Sequence, residues 1–333
     1  MKPNAMLREV KVEEAIGMVL AHDLTQIIPG SFKGRLFKKG HVIAESDIPA
    51  LLSIGKEHIY VIAMKAGWLH EDEAALRLAR AAAGANVSLT EPHEGKVSLK
   101  STIHGLLKVD KALVDAANAI DQVVMSTLRT NTVVKPGQQL TGTRVIPLLV
   151  EEDKVRQAER LAAAPWIEVK PFRRLRVGLI TTGSEVFKGR IEDKFGPVVR
   201  DKVAALGSEV IEQRLAPDES ETIVREIRYF LDECKADLIL VTGGMSVDPD
   251  DRTPGAIKQA GARIVSYGTP MLPGSMLLIG YLGEAQVPVM GLPGCVMHDP
   301  YTSFDVLLPR ICAGETIVRE DITEMGYGGL YSC

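Results

Sequence analysis

Residues 237–246 read DLILVTGGMS. Leu238 to Val241 are apolar without interruption and Thr242 is β-branched, so a strand here has no polar face and is covered on both sides. Two glycines follow at once, as where a strand turns sharply at its carboxyl end. The scheme recurs in 176–185, RVGLITTGSE, and in 287–294, VPVMGLPG. Helical stretches lie between. One spans 197–206 and stops at Gly207, and one is opened by Asp218, with Glu221 three residues on at capping-box spacing. Another starts at Thr253-Pro254, an N-cap with proline at the first helical position, and ends at Gly261. EVIEQR (209–214) and MLLIGYL (276–282) read as further strands, and Asp299-Pro300 repeats the cap-plus-proline start before YTSFDVLLPRI. Strands alternating with helices predict an α/β domain: right-handed crossovers and a mainly parallel sheet with helices on both faces.

Upstream of a boundary near residue 172 the rhythm differs. Gly17, Pro29-Gly30, Gly34 and Gly40 punctuate short apolar pieces such as 41–44 and 58–62. Ser46-Asp47 opens a short helix that Gly55 closes. Leu76, Ala79, Ala82 and Ala83 recur at helical spacing within 68–85, and Asp110 caps a second helix. VVMSTL and the segment around Pro136-Gly137 suggest paired strands, 151–164 a connecting helix, and WIEV a short strand. The expected organisation is a β-rich α+β region over 1–171, divisible into 1–62 and 63–171, an α/β domain over 172–315, and a tail over 316–333. The end of that tail, GYGGLYSC, is expected to be flexible with Cys333 exposed.

Composition limits the function. The chain has 333 residues, 46% of them hydrophobic and 25% charged, which is ordinary for a globular protein. With 39 Lys plus Arg against 43 Asp plus Glu, the net charge of −4 offers no global attraction to nucleic acid or to an anionic membrane. Four cysteines form no CxxC pair, so neither a disulfide scaffold nor a zinc module is indicated. The amino terminus is charged early, and no apolar run approaches the ~18 residues of a spanning helix. The expected location is the cytoplasm.

The chemistry collects in the turns after the strands: TTGSE at 181–185, TGGMS at 242–246 and GLPG at 291–294. In an open parallel sheet these carboxyl ends share one edge, where ligand crevices lie. Glycine lets a ligand approach the backbone and lets successive N–H groups face an anion, and Thr182, Thr242 and Ser246 add hydroxyls. A glycine after a strand also serves simply to turn the chain; three such loops on one sheet point to a phosphate-type site. Neither GxGxxG nor GxxxxGK[ST] occurs. Glu185, Asp218, Asp248, Asp250 and Asp251 sit beside the same loops. A carboxylate next to a phosphate needs a mediator, either Mg²⁺ or the amidine-like edge of a heterocycle. Asp218 also fits a helix cap, and Asp248 and Asp250 fit solvated turn positions, which leaves Asp251 as the first ligand candidate. Cys295 reads either as a small buried hydrophobe or as a thiol at a helix start, and His298 as a capping-region residue. Lys33, Lys38 and Lys39 make a basic cluster that fits a solvated surface or guidance of an anionic ligand.

Taken in order, RVGLITTGSEVFKGRIEDKF, RLAPDES, ADLILVTGGMSVDPDD, PMLPGS and VMGLPG resemble the molybdopterin-binding domain of molybdenum-cofactor biosynthesis proteins, nearest to the molybdopterin molybdotransferase (molybdate insertase) family. The resemblance covers about 172–312 and, weakly, parts of the first sixty residues. It implies a three-layer α/β/α sandwich that holds the pterin phosphate and dithiolene at these loops. It also implies a reaction in which molybdate, or tungstate, is inserted into adenylated molybdopterin with Mg²⁺ and AMP is released. On that basis, backbone at Thr182-Gly183, Gly243-Gly244 and Pro273-Gly274 would meet phosphate, and Ser184, Met245, Ser275, Pro293, Gly294 and Cys295 would complete the binding surface. Asp251 would meet Mg²⁺ or the pterin, Glu185 would share the metal, and Asp218 would support them.

Several positions depart from the family pattern. Ser184 stands for an Asp, Ser275 for a Lys, Met276 for a Pro and Cys295 for an Asn, while SVGxxD has become SVDPDD. The acidic S-x-x-D-G-Y motif is not visible, and Ser31-Phe32-Lys33-Gly34 stands near its place. Loss of the lysine removes a charge that would neutralise an anionic substrate. A carrier or sensor of the finished cofactor is therefore one alternative to the transferase, and an unrelated nucleotide-binding hydrolase is another. A homodimer or trimer and a molybdoenzyme client are further expectations.

Overall fold

The computed structural model describes residues 7–28, 32–62, 66–161, 164–246, 248 and 251–331. The Pro29-Gly30 turn, Ser31, Asp250 and Cys333 lie outside the described residues. The chain forms two compact units. One comprises residues 1–103, 107–130 and 135–169; the other comprises 104–106, 131–134 and 170–333.

The second unit is built on six strands, numbered within it: β1 (Arg176–Thr182), β2 (Glu209–Ala216), β3 (Leu238–Thr242), β4 (Arg263–Tyr267), β5 (Leu278–Leu282) and β6 (Val287–Leu292). They form one sheet in the order β2-β1-β3-β6-β5-β4. The β2-β1, β1-β3 and β3-β6 pairings are parallel, whereas β6-β5 and β5-β4 are antiparallel. The sheet is thus mixed. MLLIGYL and VPVMGL are joined by a tight turn, which can only reverse direction; a parallel return needs a crossover of a dozen or more residues.

Alternation along the central strands feeds two cores. Val177 and Leu179 of β1 with Leu238 and Leu240 of β3 pack against Val199, Val203, Phe304 and Leu307. Ile180, Ile239 and Val241 point the other way, toward Ile223, Ile227, Ala256 and Ile257. All are fully buried, and each of the larger side chains contributes roughly 1.5–3 kcal/mol of burial free energy. At Gly178 a Cβ would lie 2.4 Å from the ring of the fully buried Phe230, so only glycine leaves room for that ring.

Three expected helix starts move. Ser220–Arg228 has Glu219, not Asp218, at its N-cap. Thr253–Gln259 has Arg252 there, with Thr253 inside the helix. Ser303–Cys312 is capped by Thr302, whose N–H and hydroxyl both donate to Asp305 Oδ2 at 2.8 and 2.9 Å, so Asp299-Pro300 precedes the helix rather than starting it. Residues 316–331 are not a loose tail. Arg319–Glu324 is a helix, Ile317 and Ile322 are fully buried in the first of the two cores, and Arg310 pairs with Asp321 at 2.7 Å.

The first unit is rich in antiparallel pairing. His58–Ile62 lies between Leu7–Lys11 and Val19–Leu20. Leu24–Ile28 pairs with Phe32–Phe37, which places Gly34 within a strand, opposite Gln26, rather than at a break. A four-stranded sheet orders Val123–Thr127, Gln139–Val145, Lys96–Ser101 and Val87–Leu89. The expected pairing of VVMSTL with the segment around Pro136-Gly137 is present: Val123–Thr127 runs antiparallel to Gln139–Val145, while Val133 and Val134 pair with Leu106 and Gly105. Gln139–Val145 pairs with its neighbours in that sheet, and Gly137 N–H donates to Ser101 O at 2.8 Å. Asp110 caps Lys111–Asn118, accepting Leu113 N–H at 3.0 Å.

Candidate functional site

The strand register decides which loops meet. Thr181 of β1 stands opposite Thr242 of β3, and Thr242 opposite Leu292 of β6, so the loops leaving these strands emerge on one edge. Because β5 is antiparallel to β6, with Leu278 opposite Gly291, the segment entering β5 arrives at that same edge. β4 runs antiparallel to β5 and ends there too, with Tyr267 opposite Leu278.

A cleft of about 620 Å³ opens between these loops. Gly243, Gly244, Met245, Ser246 and Asp251 line one side. Pro273, Gly274 and Ser275 line a second, and Pro293, Gly294 and Cys295 a third. Phe195, Leu272, Met276, Leu292 and Leu330 complete the wall; none of them is an expected site residue, and Met276 enters the sequence reading only as a departure from the family pattern. All but Leu330 lie within or beside the quoted motifs, but only the fold brings these apolar side chains together.

The first loop does not reach this wall. Gly183 N–H donates to Ala216 O at 3.1 Å and Ser184 N–H to Asp218 Oδ2 at 2.7 Å. Both amides are committed inside the protein, so the Gly183 N–H expected to meet phosphate is already donating, and Asp218 is the acceptor that ties this loop to the segment following β2. Glu185 is exposed on the short helix Ser184–Phe187, away from the cleft wall. Thr182 is buried, its hydroxyl 3.4 Å from that of Thr253. Thr242 is fully buried and its hydroxyl donates to Thr181 Oγ1 at 3.2 Å. Gln213 Nε2 donates to that same Thr181 oxygen at 2.9 Å and also to Asp193, whose Oδ1 accepts Phe195 N–H at 2.9 Å. The Thr181 and Thr242 hydroxyls are thus tied through Gln213 and Asp193 to the start of helix Phe195–Ala205, and that of Thr182 meets Thr253.

The second loop is held by close packing. Gly243 has φ +87°, and a Cβ there would lie 2.3 Å from Thr182 O. Thr253 Oγ1 donates to Gly243 O at 2.8 Å. Tyr267 Oη donates to Met245 O at 2.9 Å and lies 3.3 Å from Ser246 O. Burial, with the Asp251 carboxylate adding to it, pushes the Tyr267 phenol above its ordinary pKa, so it stays a neutral donor. Its part was hidden because it depends on the direction of β4. Met245 packs into the core against Gly291, where a Cβ would meet its sulfur at 2.5 Å. In the 272–276 segment, Ser303 Oγ and Thr269 Oγ1 donate to Gly274 O at 2.7 and 2.9 Å.

The electrostatics are sparse. Asp251, half-buried, is the one charged side chain on the wall among the described residues. Asp248 is exposed and its carbonyl accepts Asp251 N–H at 3.0 Å, in keeping with a turn residue. No group of three or more His, Cys, Asp or Glu is placed to hold a metal among the described residues.

Residues 178–312 match a family described as a probable molybdopterin binding domain, and residues 9–63 match one described as a domain of unknown function. The "Molybdopterin molybdenumtransferase" of Synechococcus elongatus is 28% identical over 186 residues, covering 53% of this chain and 46% of that protein. A "CinA-like protein" of Mycobacterium marinum is 35% identical over 78 residues, 23% of this chain and 18% of that protein. The chain spans less than half of each of these curated relatives. Among solved structures, the molybdopterin biosynthesis enzyme MoaB of Thermus thermophilus is 25% identical, covering 42% of this chain and 98% of that chain with a TM-score of 0.35. No helix among the described residues is long and apolar enough to cross a membrane.

Proposed function

We propose, from the premise that residues 178–312 are a molybdopterin-binding domain of the molybdenum-cofactor biosynthesis kind, that the cleft receives molybdopterin or its adenylated form. Its chemistry would be molybdotransferase-like: insertion of molybdate or tungstate into the adenylated ligand, with release of AMP. One observation carries the reading. Loops from four parts of the sequence, around 243–246, 251, 273–276 and 293–295, converge on a single cleft at the strand edge where α/β sheets bind ligands. Helices covering both faces of the sheet support the three-layer α/β/α arrangement. A cytoplasmic location, a homo-oligomer and a molybdoenzyme client belong to the same proposal.

The chain's own residues would bind and position. Asp251 would accept hydrogen bonds from the amidine-like edge of the pterin. Leu272 and Met276, both partly exposed at the cleft, would cover its apolar face and exclude water. Tyr267, Thr253 and Ser303 would hold the loops still, so that little ordering cost falls on binding. Magnesium would supply charge neutralisation at the ligand phosphate, with Asp251 as its carboxylate among the described residues of the wall.

A second reading, a carrier that binds without reacting, is favoured by the wall itself. Phosphoanhydride cleavage draws on positive charge at the transferring group, and the described wall holds one acidic side chain and no lysine or arginine. Anaerobic incubation with adenylated molybdopterin, Mg²⁺ and molybdate separates the two. AMP release in step with protein identifies the transferase, and retained pterin without AMP identifies the carrier. Thermal stabilisation by ordinary nucleotides with no retention of pterin overturns both in favour of a nucleotide-binding hydrolase.

A further inference from the structure

Residues 329–331 return to the cleft along a path no motif announces. Leu272 N–H donates to Gly329 O and Tyr331 N–H donates to Leu272 O, each at 2.9 Å, so Leu330 and Leu272 are bridge partners in a short parallel pairing. Bridge partners send their side chains to the same face, and both line the cleft. Both are also unusually exposed for leucine, at 52% for Leu272 and 81% for Leu330. The docking is shaped on each side. At Gly329 a Cβ would lie 2.2 Å from Met325 O and 2.7 Å from Pro270 O, so this residue passes between two carbonyls with no room for a side chain. Beyond it the Tyr331 ring lies 5.0 Å from that of Tyr301.

We infer that residues 329–331 form a strap belonging to the ligand site, with two functions. Its backbone bonds to Leu272 set the position of the 272–276 segment, which brings Pro273, Gly274 and Ser275 to the cleft. Its Leu330 side chain, with Leu272, makes an apolar wall against which one face of a planar heterocycle lies. Two exposed leucines side by side gain most when a flat ring covers them, because water leaves both at once. Leu330 is thus a specificity-determining residue, and Gly329 a positioning residue that acts through the strap. This inference rests on the reading of the cleft as a pterin site.

The test uses the full chain, fluorescence titration with molybdopterin under anaerobic conditions, and hydrogen exchange at the Leu272 and Tyr331 amides. The expected result is protection of both amides in the unsubstituted protein. Leu330→Ala should bind molybdopterin about tenfold more weakly at unchanged Tm, since the side chain supports little else, and Leu330→Met should restore most of the affinity. Gly329→Ala should lose protection at both amides together with affinity. Absence of protection in the unsubstituted protein overturns the strap. Binding that Leu330→Ala leaves unchanged overturns the role of Leu330 while the pterin site stands. No binding by the unsubstituted protein, with both amides protected, overturns the pterin reading and the role of Leu330 with it.

Discussion

Replacing Gly243 by alanine tests the packing that builds the cleft. The residue sits at φ +87°, and the added Cβ would lie 2.3 Å from the carbonyl oxygen of Thr182 and 2.7 Å from its hydroxyl. The conformation costs an L-residue roughly 1–2 kcal/mol. Relieving an overlap with backbone, which cannot rotate away, costs about 1–3 kcal/mol more. The smaller entropy of the unfolded alanine chain returns about 0.5 kcal/mol. The second unit should therefore lose about 3 kcal/mol, roughly a hundredfold in its folding equilibrium. Gly294→Ala is the matched control. Its φ is outside the left-handed region and nothing lies within 4 Å of the added methyl. Stability there should hold or rise by about 0.5 kcal/mol, while molybdopterin affinity falls about tenfold because the methyl enters the cleft. Both tryptophans, Trp68 and Trp166, lie in the first unit. Tryptophan fluorescence would therefore miss the effect, and hydrogen exchange of the β1 and β3 amides is the suitable assay. A Gly243→Ala protein as stable as the unsubstituted chain, or a Gly294→Ala protein destabilised by more than about 1 kcal/mol, refutes the reasoning.

Three further outcomes are expected. Asp218→Ala strips the Ser184 N–H of its acceptor and should destabilise the second unit by about 1–2 kcal/mol in denaturant titration, whereas Asp251→Asn should weaken molybdopterin binding with no change of midpoint. Burial pushes the Tyr301 phenol up to about 12 and the Cys312 thiol up to about 11. Both folded values lie above the unfolded ones, so each contribution is complete below the unfolded pKa and is lost as pH rises through the folded pKa. The unfolding midpoint should thus be level from pH ~7 to ~8.5 and decline between about 9 and 12, less steeply in Tyr301→Phe. Cys312, buried and protonated, should resist iodoacetamide in the native protein and react on unfolding, while Cys234 and Cys295, each half-buried, should be modified before it.

Much of the second unit was legible in the chain. Unbroken apolar runs such as 238–241 declare a strand covered on both faces, because no other placement removes every side chain from water. Glycines at 243, 244 and 274 declare turns, since their positive φ excludes most other residues. Local patterns carried these elements because local sterics and burial decide them. Asp218 shows where such patterns stop. Its spacing suits a helix cap, yet its carboxylate goes to Ser184 N–H 34 positions earlier in the chain. Thr242 reads as a donor to a ligand until the register sets its hydroxyl against Thr181.

Sequence by itself determined the α/β alternation, the turns at the strand ends and the apolar positions that fill both cores, for these follow from side-chain chemistry within a few residues. Tertiary structure alone decided that β5 runs backward to deliver Pro273, Gly274 and Ser275, and that Tyr267 braces the second loop. It also turned a glycine-rich ending that reads as a tail into a wall. Strand direction and docking depend on partners far along the chain, and a segment's own composition does not encode which partner's unsatisfied backbone groups it will meet.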